Sequence, residues 1–364
     1  MYKLNWLYFV LCVFSLTLQM PVSGFPIPDE GLKYSHIISI AFIFYALKGL
    51  CRINDFDAFL VVLFFFYQFI LSLISGSSLP SMAALVFAFY AYLLGLGLAY
   101  KGEGCYDAIR NATIIILIII SIKNIYFIDE FVSSRFYGAQ VPTLYSGGGN
   151  IEATWLMLLT IFSRAKMVFG SFAFAVVVLY ASRAGFIGFL LVYYYANLLK
   201  FNRLNFRAIF YFVLLLLFVW CAQYLLAGNV LSDRVMQLGD EADFKIGRIF
   251  LWGNALELFN NNYWGYGIGA GIEAARAMSG IDFRENNFHN IFLQVLVDAG
   301  VFGSLIYFTI LLRFCGSYAN SQSAKELKYF LISYLIIGFL EFTSMEMYFW
   351  FFFGVYSYKM KNYE

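Results

Sequence analysis

The sequence predicts an all-α integral membrane protein, a polytopic bundle of about twelve transmembrane helices. Three observations carry that prediction. The apolar share is 62% and the charged share 13%, against about 45–50% and about 25% in an ordinary soluble domain. Mean hydropathy is +0.74. Runs such as Ile114–Ile120, Phe64–Phe66 and Leu214–Phe218 are apolar without a break. Such runs exclude the alternating strands of a transmembrane barrel and leave helices, whose backbone groups pair within the segment.

Taken in order, spans are expected near residues 4–20, 35–48, 57–75, 81–99, 112–128, 151–162, 168–181, 185–199, 208–227, 288–313, 328–341 and 346–358. Residues 1–24 also have the look of a secretory signal peptide. Gly24 matches a small-x-small cleavage site poorly and further spans follow at once, so residues 4–20 are expected to stay as the first helix. Several spans are short, and 328–358 reads equally as one broken helix. The whole chain, 1–364, is expected to be a single polytopic membrane domain.

Charge placement sets the expected orientation, because short loops rich in Lys and Arg stay on the cytoplasmic side. One alternating set of loops holds fifteen of the 24 Lys and Arg, among them Lys48, Arg52, Lys166 and Lys328. The other holds eight, including Arg135, Arg183, Arg234, Arg248 and Arg284, while Lys123 falls inside a span. Both termini are then cytoplasmic. The outer set lies mainly in residues 129–150 and in a long loop, 228–287, with a tight turn at Ser182–Gly185. Trp252, Tyr263, Trp264 and Tyr266 argue that the long loop is ordered, and the functional site is expected there.

A net charge of +2 with no dense basic cluster excludes nucleic acid as a partner. Five cysteines scattered singly imply neither disulfides nor a metal site, and no cofactor is expected.

Residues 284–294, Arg-Glu-Asn-Asn-Phe-His-Asn-Ile-Phe-Leu-Gln, lead from the long loop into an apolar helix. At a helix start the partial positive charge disfavours imidazolium, so His289 is either a neutral general base or an interfacial residue that caps the helix with Asn286 or Asn287. Arg183, in a turn between two close spans, either snorkels to lipid phosphates or points into the bundle toward a phosphorylated substrate, whose oxygens guanidinium grips bidentately. Arg248 opens a short helical stretch with Trp252 and Leu256 on one face, suited to lying along the membrane surface. Gly265–Gly271 is a tight glycine turn, since no strand precedes it to make a nucleotide fingerprint. In Asp55-Phe-Asp57, a helix cap by Asn54 or Asp55 outweighs a metal-nucleotide pair. His36 carries no chemistry.

Four segments in order resemble the bacterial O-antigen polymerase and ligase superfamily. His289-Asn-Ile-Phe-Leu through Gly300-Val-Phe-Gly303 resembles its HN-x-x-L…G-x-x-G signature. Ser182-Arg-Ala-Gly185 is similar to its SR-x-G turn, Arg248–Trp252 to its R-x-x-x-W segment, and Gly265-Tyr-Gly-Ile-Gly269 to its G-x-G stretch.

The resemblance implies a GT-C-like bundle with a long periplasmic loop and a metal-independent, inverting glycosyl transfer at the periplasmic face of the bacterial inner membrane. The implied donor is an undecaprenyl-pyrophosphate-linked oligosaccharide in membrane lipid, with a chain-length regulator protein as a further expected partner. His289 would take the acceptor proton. Arg183 and Arg248 would hold pyrophosphate, with Trp252 beside them, Asn290 would orient, and Glu285 would polarise the histidine. Arg135-Phe-Tyr-Gly and Gly147–Thr154 look more like polymerases than ligases, while capsule and exopolysaccharide polymerases stay open. A flippase or transporter, to which the intramembrane Lys123, Glu341 and Glu346 would suit, lacks the expected repeat of two related halves. A structural scaffold would not need Arg183.

Overall fold

The computed structural model describes residues 33–53, 56–100, 103–128, 141–143, 148–163, 166–180, 182–198, 247–281, 286–340 and 344–361. Every regular element among them is helical. The helices are α1 (Tyr34–Ser39), α2 (Ile43–Leu50), α3 (Phe56–Ile74), α4 (Leu79–Ala99), α5 (Glu103–Tyr126), α6 (Gly149–Leu159) and α7 (Lys166–Leu179). After them come α8 (Arg183–Leu198), α9 (Arg248–Asn261), α10 (Ala270–Ser279), α11 (Ile291–Gly316), α12 (Gln322–Ile337) and α13 (Met347–Lys361).

Ten of the twelve expected spans fall on these helices, and those at 4–20 and 208–227 lie outside the described residues. α5 starts well before the expected residue 112, and 328–358 falls on two separate helices, α12 and α13. Four helices, within α3, α4, α5 and α11, are long and apolar enough to cross a bilayer, and four more apolar helices are shorter. Large apolar side chains stand exposed along them, for example Phe66 at 60% on α3 and Leu312 at 73% on α11. Lipid is the solvent that such a surface suits. The protein is a multi-pass helical membrane protein.

Inside, α4 lies against α2 and α13 at backbone contact. A Cβ on Gly95 would stand 2.2 Å from the Phe351 carbonyl oxygen, and one on Gly97 1.8 Å from that of Tyr45. Small residues let helices approach this closely where no hydrophobic effect drives them together. Around this contact Trp155, Phe162, Phe330, Tyr348, Trp350 and Phe352 form a buried aromatic core.

The expected straight span at 288–313 is bent. α11 breaks at Gly300 (φ 61°, ψ −165°) and the chain doubles back. The rings of Phe292 and Phe308, which a straight helix would separate by about 24 Å, have centroids 6.1 Å apart. Ser304 Oγ reaches the Val295 carbonyl at 3.4 Å. Both glycines of the Gly300-Val-Phe-Gly303 segment have a mechanical reason. Gly300 takes the left-handed turn, and a Cβ on Gly303 would lie 2.5 Å from that of Ala299 in the facing arm.

A break exposes backbone groups, and here the glycine-rich turn takes them up. Tyr266 N–H donates to the Val297 carbonyl (3.0 Å), Gly267 N–H to that of Asp298 (3.0 Å), and Val301 N–H to that of Tyr263 (2.8 Å). Gly265, Gly267 and Gly269 have φ of 94°, 80° and 70°. The tight turn expected at Gly265–Gly271 is what the structure contains. On its other side Ile268 N–H donates to Ser72 Oγ (2.9 Å) and Tyr67 OH to the Trp264 carbonyl (3.1 Å), which ties the turn to α3.

At Gly300 a Cβ would lie 2.3 Å from the Trp264 carbonyl carbon, and the backbone there disfavours any L side chain. Gly300→Ala is expected to cost at least about 2 kcal/mol of stability, read as a lower melting temperature of the detergent-purified chain. Gly316→Ala, where an added Cβ meets nothing within 4 Å, should leave it unchanged.

Candidate active site

α9 and α10 form a small second core with the start of α11. Leu251, Ala255 and Leu258 make one stripe of α9, packed with Ile272, Ala275, Phe288 and Val297. The face expected to lie along a membrane surface packs on this core in part. Leu256 is 50% exposed, whereas Trp252 is half-buried against this core, because the apolar stripe of α9 has protein to pack on. Tyr266 donates to the Leu258 carbonyl (3.3 Å), and burial raises its phenol above the ordinary value, so it stays a donor.

His289 stands two residues before α11 begins, and its neighbours on both sides are fixed. Phe288 is fully buried; its N–H donates to Gln294 Oε1 (3.0 Å) and its carbonyl accepts from Trp252 Nε1 (3.0 Å). Asn290 is the cap of α11, its Oδ1 accepting from Phe292 N–H (3.0 Å) and Leu293 N–H (3.1 Å). The cap expected from Asn286 or Asn287 is therefore supplied by Asn290, which sits at the true helix boundary. Asn287 instead accepts from His289 N–H (2.7 Å), and Asn286 from Arg276 (2.8 Å).

Among the described residues other than glycine, His289 alone has positive φ, 48°. That backbone costs about 1–2 kcal/mol, and such strain persists where the surroundings over-determine it. The residue is half-buried. Further along the same arm, Gln294 Nε2 donates to Asp298 Oδ2 (2.6 Å), and Asp298 abuts the start of α10 at Gly269 and Gly271. A continuous polar ladder thus runs from the residue before His289 to the glycine turn.

Arg248 opens α9 one turn before Trp252, on the same helical face. Trp252, His289 and Asn290 thus stand at one loop, and Arg248 lies one helical turn from Trp252. Glu285 lies outside the described residues, as do Arg135, residues 144–147, Asn54, Asp55 and Glu341. Asp57 pairs with Arg313.

Arg183 is the first residue of α8. Ser182 caps that helix, accepting from Gly185 N–H (3.0 Å). A Cβ on Gly188 would lie 3.4 Å from Ile337 Cδ1, at the end of α12, and the adjacent Gly338 carbonyl accepts from Ile291 N–H (2.8 Å). The end of α12 thus bridges the helix that Arg183 begins and the His289 loop. By the rise of 1.5 Å per residue, Arg183 stands about 7 Å along α8 from that bridge.

Sequence reading missed a buried network near this turn. Lys123 Nζ pairs with Glu152, which is fully buried, and donates to the Pro142 carbonyl (2.9 Å). Tyr180 OH lies 3.3 Å from Glu152 Oε1 and 3.4 Å from Asn124 Oδ1. The available signal was one charge in each of two apolar runs. His36 is buried and stacked on Phe87 (4.1 Å), a structural role.

Residues 154–308 match the family model described as O-antigen ligase. The match covers the turn at Ser182–Gly185, α9, the glycine turn, His289 and Gly303. No curated protein matches the chain.

Asn290→Ala is expected to lower stability by about 1 kcal/mol through loss of the cap. Asn290→Asp, whose carboxylate still accepts both N–H groups, should keep the melting temperature and most activity. Equal loss of activity in both variants would instead mean that the amide itself meets substrate.

Proposed function

We propose, for a chain whose residues 154–308 match the O-antigen ligase family model, that it is the polymerase of that superfamily. The match supports a multi-pass membrane enzyme of the O-antigen polymerase or ligase type, one that transfers glycans held on lipid. The finer reading is that it joins undecaprenyl-pyrophosphate-linked oligosaccharide repeat units at the periplasmic face of the inner membrane. The growing chain on one carrier is the donor, and a sugar hydroxyl on a second carrier is the acceptor. A chain-length regulator protein is its proposed partner, and the loop 228–287 its periplasmic element.

The observation that carries the reading is the placement of His289. It is held in a strained backbone, between a buried Phe288 and a capping Asn290, directly beside the Trp252 that follows Arg248 by one turn. A group so fixed loses little entropy on meeting substrate. In the proposed step the acceptor hydroxyl oxygen attacks the anomeric carbon as His289 takes its proton. The bond from that carbon to the pyrophosphate oxygen breaks, and the electron pair leaves with the pyrophosphate. Attack from the side opposite the leaving group inverts the anomeric centre.

Charge grows on the leaving oxygen, and guanidinium groups stabilise it in place of solvent. Arg183 and Arg248 take that role, and Glu285 that of polarising His289. Trp252 and Asn290, whose side chains hold the Phe288 carbonyl and the start of α11, act by positioning the histidine.

The family description itself names a ligase, which would move the finished chain onto lipid A core. Deleting the gene and running the surface polysaccharide on a gel separates the two. A core carrying at most one repeat unit is expected; loss of every O-chain, with long polymer accumulating on the carrier lipid, would make it the ligase.

His289→Ala should abolish product at unchanged protein level, and normal polymer from it would sink the base assignment. Arg183→Lys should lower activity by about tenfold or more, because an ammonium cannot reproduce a bidentate grip. Full activity of the Lys variant would show that simple charge suffices.

A further inference from the structure

The buried network at Glu152 joins three separate segments. Lys123 from the end of α5 holds the 141–143 segment through the Pro142 carbonyl (2.9 Å), the first turn of α6 through Glu152, and the end of α7 through Tyr180 OH (3.4 Å). The Tyr180 ring is packed on the start of α6 so closely that a Cβ on Gly149 would fall 1.9 Å from it.

The same first turn of α6 reaches the residue before Arg183. The Asn150 carbonyl, two residues before Glu152, accepts from both Thr154 Oγ1 (2.7 Å) and Ser182 Oγ (3.1 Å). Those two hydroxyls are 3.3 Å apart. Ser182 Oγ in turn accepts from Gly185 N–H (3.0 Å), which sets the first turn of α8. The path from the ion pair to the backbone of Arg183 therefore runs through α6 and never leaves bonded or hydrogen-bonded atoms.

Stability is a poor reason to keep this pair. Two charges taken into an apolar bundle lose their hydration, and replacement by apolar groups of similar volume is commonly neutral or favourable. What apolar packing cannot supply is directional fixing of three segments on one point. The position of Arg183 also asks for such fixing, since a cation at the first position of a helix is opposed by the helix dipole and has no intrinsic preference for that place.

We infer that Glu152, through its pair with Lys123, is a positioning residue that sets the Ser182–Gly185 turn so that Arg183 meets the pyrophosphate of the carrier lipid. The inference rests on the proposed role of Arg183.

The test uses the full-length chain in detergent with undecaprenyl pyrophosphate as the probe. Lys123→Met/Glu152→Met should keep the membrane protein level and melting temperature of the parent, yet bind the probe about tenfold more weakly. Added to Arg183→Ala, the same Met pair should weaken binding less than about twofold further, because residues acting through one group are not additive. A Met pair that binds like the parent beside a weakened Arg183→Ala overturns the inference alone. So does an equal loss in both backgrounds, or a loss that tracks a fall in melting temperature. Parental binding by Arg183→Ala would remove the role of Arg183 itself, and the inference with it.

Discussion

Backbone groups freed inside an apolar bundle must find protein partners, because no water is there to receive them. α11 meets that demand at Gly300. The break leaves the Val297 and Asp298 carbonyls and the Val301 N–H without helical partners, and the turn at Tyr263–Gly267 supplies all three. The turn cannot move without stranding those groups, and the break cannot straighten without expelling the turn. Since the same turn joins α9 to α10, the outlying helix pair is fastened to the bundle by main-chain bonds, which side-chain substitution leaves intact.

The location of His289 follows from that fastening. Phe288 belongs to the small core of α9 and α10, while Asn290 and Ile291 belong to α11 and its contact with Gly338. One residue thus connects two packed bodies, and its left-handed backbone is the geometry that lets both be satisfied. The Gln294–Asp298 ladder stiffens the arm behind it, pairing polar groups that would otherwise be buried unsatisfied.

Helical spans were legible because lipid imposes length and apolarity on each one separately, so a local window contains the information. The glycine turn was legible for a similar reason, as glycine spacing encodes positive φ locally. The bend in α11 was not. Residues 291–316 form one apolar run whose doubling back depends on bonds to Tyr263, Tyr266 and Gly267, which no window around Gly300 includes. The inward stripe of α9, Leu251, Ala255 and Leu258, was not legible either, because it is decided by where the second core lies. The Lys123–Glu152 pair joins residues 29 apart and was equally out of reach, although each residue alone was conspicuous in its apolar run.

The helix that Arg183 begins and the helix that His289 precedes are distant in sequence and meet at the end of α12. The end of α12 packs on α8 through Ile337 and accepts the start of α11 through Gly338. α8 begins with Arg183, and α11 is preceded by His289, while α9, which begins with Arg248, holds the same loop through Trp252. The two cations of the proposed reading therefore stand on different helices. Each guanidinium then has one phosphate to meet, and such a pair suits a leaving group with two phosphates, since guanidinium grips phosphate oxygens bidentately.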